Sequence, residues 1–491
     1  MKIILTSILT LAISTIWSQN EEDALRYSQT YFGGTARNIS MAGAMTAIGG
    51  DYSASSQNPA SMGRFNKNNF SFTPTLEYNQ TLTDFYGSKD GQQSASVKIG
   101  NFSYLKAYQI PESMSNGWVS LQMGLGYQRI NSFENIARYS GEVDSSIIHN
   151  FINEANGTGT AYIYSYFPFT AGLAYDTYAI DPDSNNTYTT ELSGNSIHNR
   201  KITNNGGMGE YSFAMSGNYK NKLYLGGTFN ITRVKYETNF VHKEEFVEQD
   251  NIWLNSIEYL GNLTTEGYGV NVKVGAVYLP TDKIRIGLAF HSPTQYKLND
   301  SYGNDMTAFT DDPNFPIKYI KEEFKPVGEY DYILRTPTKV NLSMGYIIQK
   351  KASIGVEIEY IDYAGSKLKS VKFGDAPYSF ITENNQIKNL YKPRINVKLG
   401  GEYRINPMLY LRGGYAYYST PYTKQSQVNT TATQFLTGGF GLNFGTYYFD
   451  FALANRSVAY DYFAYNPDLK GSKARFNERN FNFSASVGFR F

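Results

Sequence analysis

Four histidines, His149, His198, His242 and His291, are the only imidazoles in a chain of 491 residues that contains no cysteine. Nucleophilic catalysis by a hydroxyl needs a serine within reach of a base that a third polar group orients. The adjacent pair His291-Ser292 does not supply this, because neighbours along a strand point to opposite faces. Thiol catalysis and thiolate metal sites are excluded, and four scattered histidines predict no transition-metal centre. A formal net charge of +1 leaves no electrostatic footprint for nucleic acid. The expectation is a protein that is not an enzyme and takes no metal or cofactor.

The elements that would position any site are β-strands. Aromatics reach 16%, with 43 Tyr and 31 Phe against 3 Trp, glycine numbers 44 and charged residues are only 18%. With a mean hydropathy of −0.42, such a Tyr-, Gly- and Asn-rich chain reads as mostly β. The N-terminus "MKIILTSILTLAISTIWSQN" has one early lysine, an apolar run to Trp17, and Ile16 and Ser18 at positions suited to cleavage. Residues 1–18 are therefore read as an export signal peptide. No later stretch offers about 18 uncharged apolar residues. The nearest, Ala161–Ile180, contains Pro168 and Asp176 and is rejected as a span.

Period-2 alternation runs to the last residue. Ile354, Val356, Ile358 and Tyr360 oppose Ser353, Glu357 and Glu359; Val270, Val272 and Val274 oppose Asn271 and Lys273; Ile395, Val397 and Leu399 oppose Asn396 and Lys398. A soluble sandwich would alternate in the same way, so length and rhythm decide. Strands of about 10–15 residues exceed the usual mode of about 5–6 in globular sheets. Tight turns near 218–222, 279–283, 347–351, 404–408 and 443–448 alternate with long polar loops near 131–206, 241–264, 297–330, 364–391, 420–433 and 461–478. Short turns on one side and long loops on the other mark an outer-membrane barrel. The fold class is all-β: a transmembrane antiparallel barrel of about 14 strands over residues 67–491, in the outer membrane of a Gram-negative bacterium. Phe491, ending an alternating strand, suits the signal read by the barrel-assembly machinery.

Residues 19–66 precede the first strand. A barrel of this size encloses a lumen too wide for side chains alone to fill, so the segment either dangles or folds inward. Gly43, Gly49 and Gly50 allow tight turns. Asn58 can cap a short helix with Pro59 in its first turn, followed by Ala60 and ended by Gly63. A plug and an ordinary capped turn leading into the first strand both fit these residues.

The stretch "SMAGAMTAIGGDYSASSQNPASMGRF", with Asp51 followed by Asn58-Pro59-Ala60, resembles the N-terminal hatch of the FadL/TodX family of outer-membrane channels for long-chain fatty acids and aromatic hydrocarbons. "GLAFHSP" at 287–293 is similar to a family strand ending in aromatic-Arg-Ser-Pro, with His291 where arginine is common. An anion contact is not carried over to it, and it reads as a hydrogen-bonded wall residue. The resemblance spans about 30–491 and implies a fourteen-stranded barrel with a hatch at 19–66. It implies that a hydrophobic small molecule lands among the outer loops, enters the lumen, and leaves sideways into outer-membrane lipid beside a kinked third strand when the hatch shifts.

In "GWVSLQMGLGYQRI", Gly124 and Gly126 either permit that kink or are ordinary wall packing. Candidate landing residues are Ile148 and Phe151 on one helical face, Phe167 and Phe169 in an aromatic run, and Trp253, Ile257 and Leu260 on a second helical face. Self-packing of the loops is the competing account of so much apolar surface. A general diffusion porin or a purely structural barrel is the alternative function. A TonB-dependent receptor would need a larger plug ahead of 22 strands.

Overall fold

The computed structural model describes residues 21–491 apart from 112, 114–115, 191, 193, 248–253, 311–324, 350 and 372–377. The signal-peptide reading of 1–18 and Trp253 lie outside the described residues. Fourteen antiparallel strands form one closed barrel. They are β1 (Asn69–Phe85), β2 (Ser88–Gln109), β3 (Trp118–Ser132 continued by Asn135–Val143), β4 (Ser196–Tyr219), β5 (Leu223–Phe246), β6 (Leu254–Tyr278) and β7 (Ile284–His291 continued by Gln295–Thr310). The circuit goes on through β8 (Val327–Arg335, then Lys339–Ile348), β9 (Ala352–Asp362, then Lys367–Ser370), β10 (Pro393–Arg404), β11 (Leu409–Tyr418), β12 (Thr433–Asn443), β13 (Tyr447–Phe463) and β14 (Lys473–Arg490). β14 closes the ring on β1, from Asn69 opposite Arg490 to Asp84 opposite Arg475.

Burial settles which alternating face is which. Val270, Val272 and Val274 are exposed, while Asn271 and Lys273 are buried; Ile395, Val397 and Leu399 are exposed, while Asn396 and Lys398 are buried. Apolar outside and polar inside is the reverse of a soluble sandwich and is the arrangement a lipid-facing wall requires. On β6 the outward apolar stretch runs from Tyr268 to Tyr278, both exposed aromatics. That length matches the roughly 9–11 residues needed to cross the hydrocarbon layer, with a ring at each interface. Among the described residues no helix is long and apolar enough to cross a membrane.

The strands are longer than the sequence rhythm indicates. β4 and β5 have 24 residues each and β6 has 25, about 80 Å along the strand at roughly 3.3 Å per residue. The ends of the stretches read as loops near 131–206, 241–264, 297–330 and 461–478 continue the wall above the membrane. Their outward positions turn polar there, as Arg233, Lys235 and Glu237 do beyond Ile231 on β5, so the alternation persists while the apolar signal fades. The tight turns, the barrel's first and last residues, and a mutual bond pair between Asn68 and Phe491 (3.1 and 3.2 Å) lie at the opposite, periplasmic end.

Candidate functional site: the lumen and its lateral seam

Residues 21–66 fold into two short helices, α1 (Glu21–Arg26) and α2 (Ala36–Ser40), and two 3₁₀ turns, Ser53–Ser56 and Pro59–Arg64. Thr35 caps α2 by accepting from Asn38 N. Asn58 caps the last turn by accepting from Ala60 N at 3.0 Å, with Pro59 at its first position. The turn runs one residue past Gly63, to Arg64. Gly43, Gly49 and Gly50 sit at φ 76°, 74° and 77°, a region that side chains with a Cβ avoid. Asp51 lies buried, accepting from Thr35 Oγ1 (2.7 Å) and Ser53 N (2.9 Å). Burial raises its carboxyl above the ordinary range against the pull of Arg37 and these two bonds.

The partners of this segment encircle the barrel. It bonds Ile130 O on β3 through Tyr31 N, Ser212 on β4 through Tyr52, and Tyr224 on β5 through Arg64. Lys273 on β6 donates to Ser56 O, His291 on β7 meets Gln57 O at 2.8 Å, and Lys339 on β8 donates to Thr30. Glu357 on β9, Glu402 on β10, Thr437 on β12 and Ser486 on β14 bond Thr46, Arg37, Ser40 O and Ala36 N. Only a segment inside the lumen reaches strands on every side.

It also lies on a row of inward glycines. Gly345, Gly355, Gly400 and Gly414 stand opposite one another across β8–β11. A Cβ on Gly355 would fall 1.9 Å from Ala44 O, and one on Gly400 would fall 2.3 Å from Met41 O. The backbone of residues 41–48 thus crosses the wall at van der Waals contact, which any side chain on this row would prevent.

Glu402 bolts the segment to the wall through a two-pronged pair. It accepts from Arg37 Nε and Nη2, both at 3.0 Å, and from Arg412 Nε at 2.7 Å. Glu402→Gln takes the paired carboxylate from the largely buried Arg37 guanidinium, while Arg412 keeps Asp450 at 2.6 Å; the loss costs about 3 kcal/mol. The amides of residues 36–50 are then expected to exchange hydrogen about a hundredfold faster; unchanged exchange would show that the pair does not hold the segment.

Between β2 and β3 the wall is open to hydrogen bonding. Their ladder runs only from Asn101 opposite Gln128 to Gln109 opposite Ser120. Above it, Ser88–Ile99 pairs with β1 alone and Asn131–Val143 with β4 alone. Pro74 has no N–H to give, and the register slips at Thr73/Pro74, leaving Gly100 unpaired. Across the gap Ile130 is skipped in the pairing with β4. Two bulges thus face each other where the strands part, and the Ile130 carbonyl freed there receives Tyr31 N at 2.8 Å. Side chains alone cross the seam, chiefly the Lys98–Glu134 ion pair and an Arg138–Asp90 contact of 3.8 Å. Behind it lies a cavity of 80 Å³ lined by Tyr31, Phe32, Gly33, Thr75, Gly100 and Ile130. Val97 and Ile99, 72% and 53% exposed, lie on the outward face of β2 just before Gly100.

A family model described as outer membrane protein transport protein (OMPP1/FadL/TodX) matches residues 24–455. The chain belongs to the FadL/TodX family. The family comprises outer-membrane channels that transport hydrophobic compounds, and it is not enzymatic. The protein is accordingly placed in the outer membrane of a Gram-negative bacterium. Among solved structures the chain is similar to a FadL homologue of Pseudomonas aeruginosa, at 14% identity and a TM-score of 0.55, over 94% of this chain and 100% of that one. It is also similar to the toluene transporter TodX of P. putida, at 12% identity and a TM-score of 0.51, over 94% and 99%. At these identities the likeness is one of fold. No curated protein matches the chain.

In this FadL/TodX-family chain the sequence-selected residues fall into three places. Gly43, Gly49, Gly50, Asp51, Asn58, Pro59 and Ala60 lie together in the lumen. Gly124 and Gly126 lie on a regular stretch of the β2–β3 ladder, where a Cβ would strike the Tyr52 ring at 2.6 and 2.4 Å. The register of β3 against β4 slips at Val119 and at Ile130, on either side of these glycines.

Ile148 and Phe151 share the buried face of α3 (Ile148–Ala155), within one apolar cluster that also holds Phe85, Tyr139, Ile257, Tyr259 and Phe476. Phe151 meets Tyr259 edge-on at 5.4 Å. Phe167 and Phe169 are half-buried, the latter against Tyr302 at 5.0 Å. Ile257 and Leu260 are in strand β6 rather than a helix, Ile257 inward and buried and Leu260 on the other face. Strand alternation and helical spacing coincide over so short a run, and pairing with β5 and β7 decides it.

The extracellular cluster also joins two of the scattered histidines. Hairpin register sets His198 opposite Glu244, and Glu244 Oε1 lies 3.3 Å from His198 Nε2 and 2.8 Å from His242 Nε2. The same carboxylate accepts from Ile147 N and Ser146 Oγ, pinning the start of α3 to the wall. These are metal-ligand types within 4.8 Å of one another; their Nε2 atoms face the carboxylate, both Nδ1 atoms are buried without a partner, and Arg200 is buried on the same strand face two residues from His198.

Glu154 on α3 accepts from Asn150 and Thr170. Burial nonetheless raises its carboxyl from the ordinary 4.5. A raised carboxyl favours the folded cap while protonated, so that contribution is present below about pH 4.5 and is lost as pH climbs through the folded value. Hydrogen exchange of residues 148–155, corrected for intrinsic rate, should therefore be slower at pH 5 than at pH 7.5. Glu154→Gln should remove the difference; a difference that survives the substitution assigns it elsewhere.

Proposed function

We propose that the protein takes up long-chain fatty acids or similar lipophiles, that residues 19–66 act as its hatch, and that the substrate leaves sideways through the β2–β3 seam into the membrane. The carrying observation is the juxtaposition at the seam: a gap in the ladder, a small cavity behind it, and a lumen segment bonded to the bulge at its edge. A cavity of 80 Å³ is far below the roughly 300–1,000 Å³ of ligand pockets, so the seated segment holds the passage closed and must shift to admit a substrate. An apolar solute with lipid at the seam has no reason to continue through a wet lumen. A freely conducting porin fits poorly with a segment bonded around the whole ring.

The test is binding of radiolabelled oleate to the refolded barrel in detergent, with unlabelled fatty acid, toluene and haem as competitors. Saturable binding displaced by fatty acid is the expected result. Displacement by toluene alone would move the substrate class to aromatic hydrocarbons. No saturable binding would contradict the reading for fatty acids.

A further inference from the structure

Beneath the lumen segment, at the periplasmic mouth, is a cavity of 280 Å³ lined by Arg37, Arg64, Arg285, Lys351, Arg404 and a single carboxylate, Glu402. That carboxylate is already shared by Arg37 and Arg412. Among the described residues no acid pairs with Arg64, Arg285, Lys351 or Arg404. Arg64 donates to the Tyr224 hydroxyl at 2.9 Å and Arg285 to the Ile48 carbonyl. Arg285 is only 9% exposed, and its Nε has no partner. Gly49 and Gly50 of the lumen segment form part of the same lining.

Like charges gathered in a half-enclosed space repel one another unless a counter-ion joins them. Guanidinium forks are the natural cradle for a planar or tetrahedral oxyanion, which they grip through paired N–H donors. We infer that this cavity is an anion site for a phosphate or carboxylate group, held by Arg285 of the wall and by Arg37 and Arg64 of the lumen segment. Because its ligands come from both bodies, an anion bound there ties the segment to the wall, and its departure loosens the Gly49–Gly50 turn. Segment seating is thereby linked to the anionic content of the periplasmic face. The inference stands on the charge lining of the mouth and does not depend on which lipophile is carried.

The experiment uses the full mature chain without a charged tag, in low-salt detergent. Inorganic phosphate is titrated against sodium chloride at matched ionic strength, with calorimetry and hydrogen exchange of residues 47–64 as readouts. Saturable binding near one phosphate per chain, with slower exchange than in chloride, is expected. Arg285→Gln should weaken it at least about tenfold, the usual loss on removing a charge-assisted contact, while Lys388→Gln on the far outer face leaves it unchanged. A parallel arm in nanodiscs separates the sources. Protection in phosphatidylglycerol but not phosphatidylcholine, without phosphate, assigns the group to a lipid headgroup; protection by phosphate in both lipids assigns a free anion. If phosphate and chloride act alike at equal ionic strength and neither lipid protects, the site does not exist. This comparison needs only the wild-type chain and decides the matter even if Arg285→Gln fails to fold.

Discussion

Gly355→Val, made together with Gly400→Val, is expected to turn a closed barrel into an ion-conducting one. The two glycines face each other across β9 and β10. Each lies where the lumen segment's backbone touches the wall, with Ala44 O and Met41 O inside the space a Cβ would take. Valine adds further atoms beyond that Cβ, and neither partner is a flexible side chain that could swing away. Overpacking of this kind costs about 1–3 kcal/mol per site. Here the segment can relieve it by lifting off, since the ring of strands is closed without it.

With residues 41–48 displaced, the lumen of a barrel this wide is water-filled, and planar-bilayer conductance should rise at least about tenfold. Gly401→Val is the control. Its Cβ meets nothing nearer than Ser353 O at 3.7 Å, so it should leave the conductance low. Unchanged conductance in the double variant would mean that the segment is not what closes the pore.

How far the molecule was legible in its sequence depends on the kind of interaction. The wall follows from alternation, as at Ile354–Tyr360 and Ile395–Leu399, because one face meeting lipid and the other a polar lumen writes a two-residue period into the chain. The Asn58-Pro59 cap is equally local and was readable for the same reason. The glycine row is not local. Gly345, Gly355, Gly400 and Gly414 look like isolated strand glycines until pairing sets them side by side. The same holds for His198, His242 and Glu244, which meet because the hairpin turning at Lys220–Lys222 fixes a register more than twenty residues away.

Above the membrane the outward face turns polar, so strand and loop carry the same composition and the upper wall reads as loop. The seam is the hardest case. Pro74 hints at it, but its other edge, Ile130, is an ordinary residue whose bulge arises from pairing alone. Gly124 and Gly126, the residues that looked suited to a kink, accommodate the Tyr52 ring instead.

The second large effect concerns that seam. Below Gln128 a backbone ladder joins β2 to β3; above it the strands are linked only through side chains, with Lys98 and Glu134 in an ion pair across the gap. Parting that seam breaks no rung of the strand ladder, only side-chain links such as the Lys98–Glu134 and Arg138–Asp90 pairs and the Thr83 hydroxyl's bond to the Arg138 carbonyl. A covalent link there removes the opening without touching the segment's bonds to the wall or the cluster under α3. The chain has no cysteine, so Lys98→Cys with Glu134→Cys introduces the only two thiols. A short reducible bis-thiosulfonate can then bridge them and later be removed.

The measurement that tests lateral release most directly is uptake of labelled oleate by cells carrying this double-cysteine barrel, before bridging, after bridging and after reduction, alongside binding to the same purified barrel. The account predicts that bridging lowers uptake to the level of cells lacking the protein, that reduction restores it, and that saturable binding persists throughout. Uptake that continues undiminished with the seam bridged would contradict lateral release and send the substrate down the lumen instead.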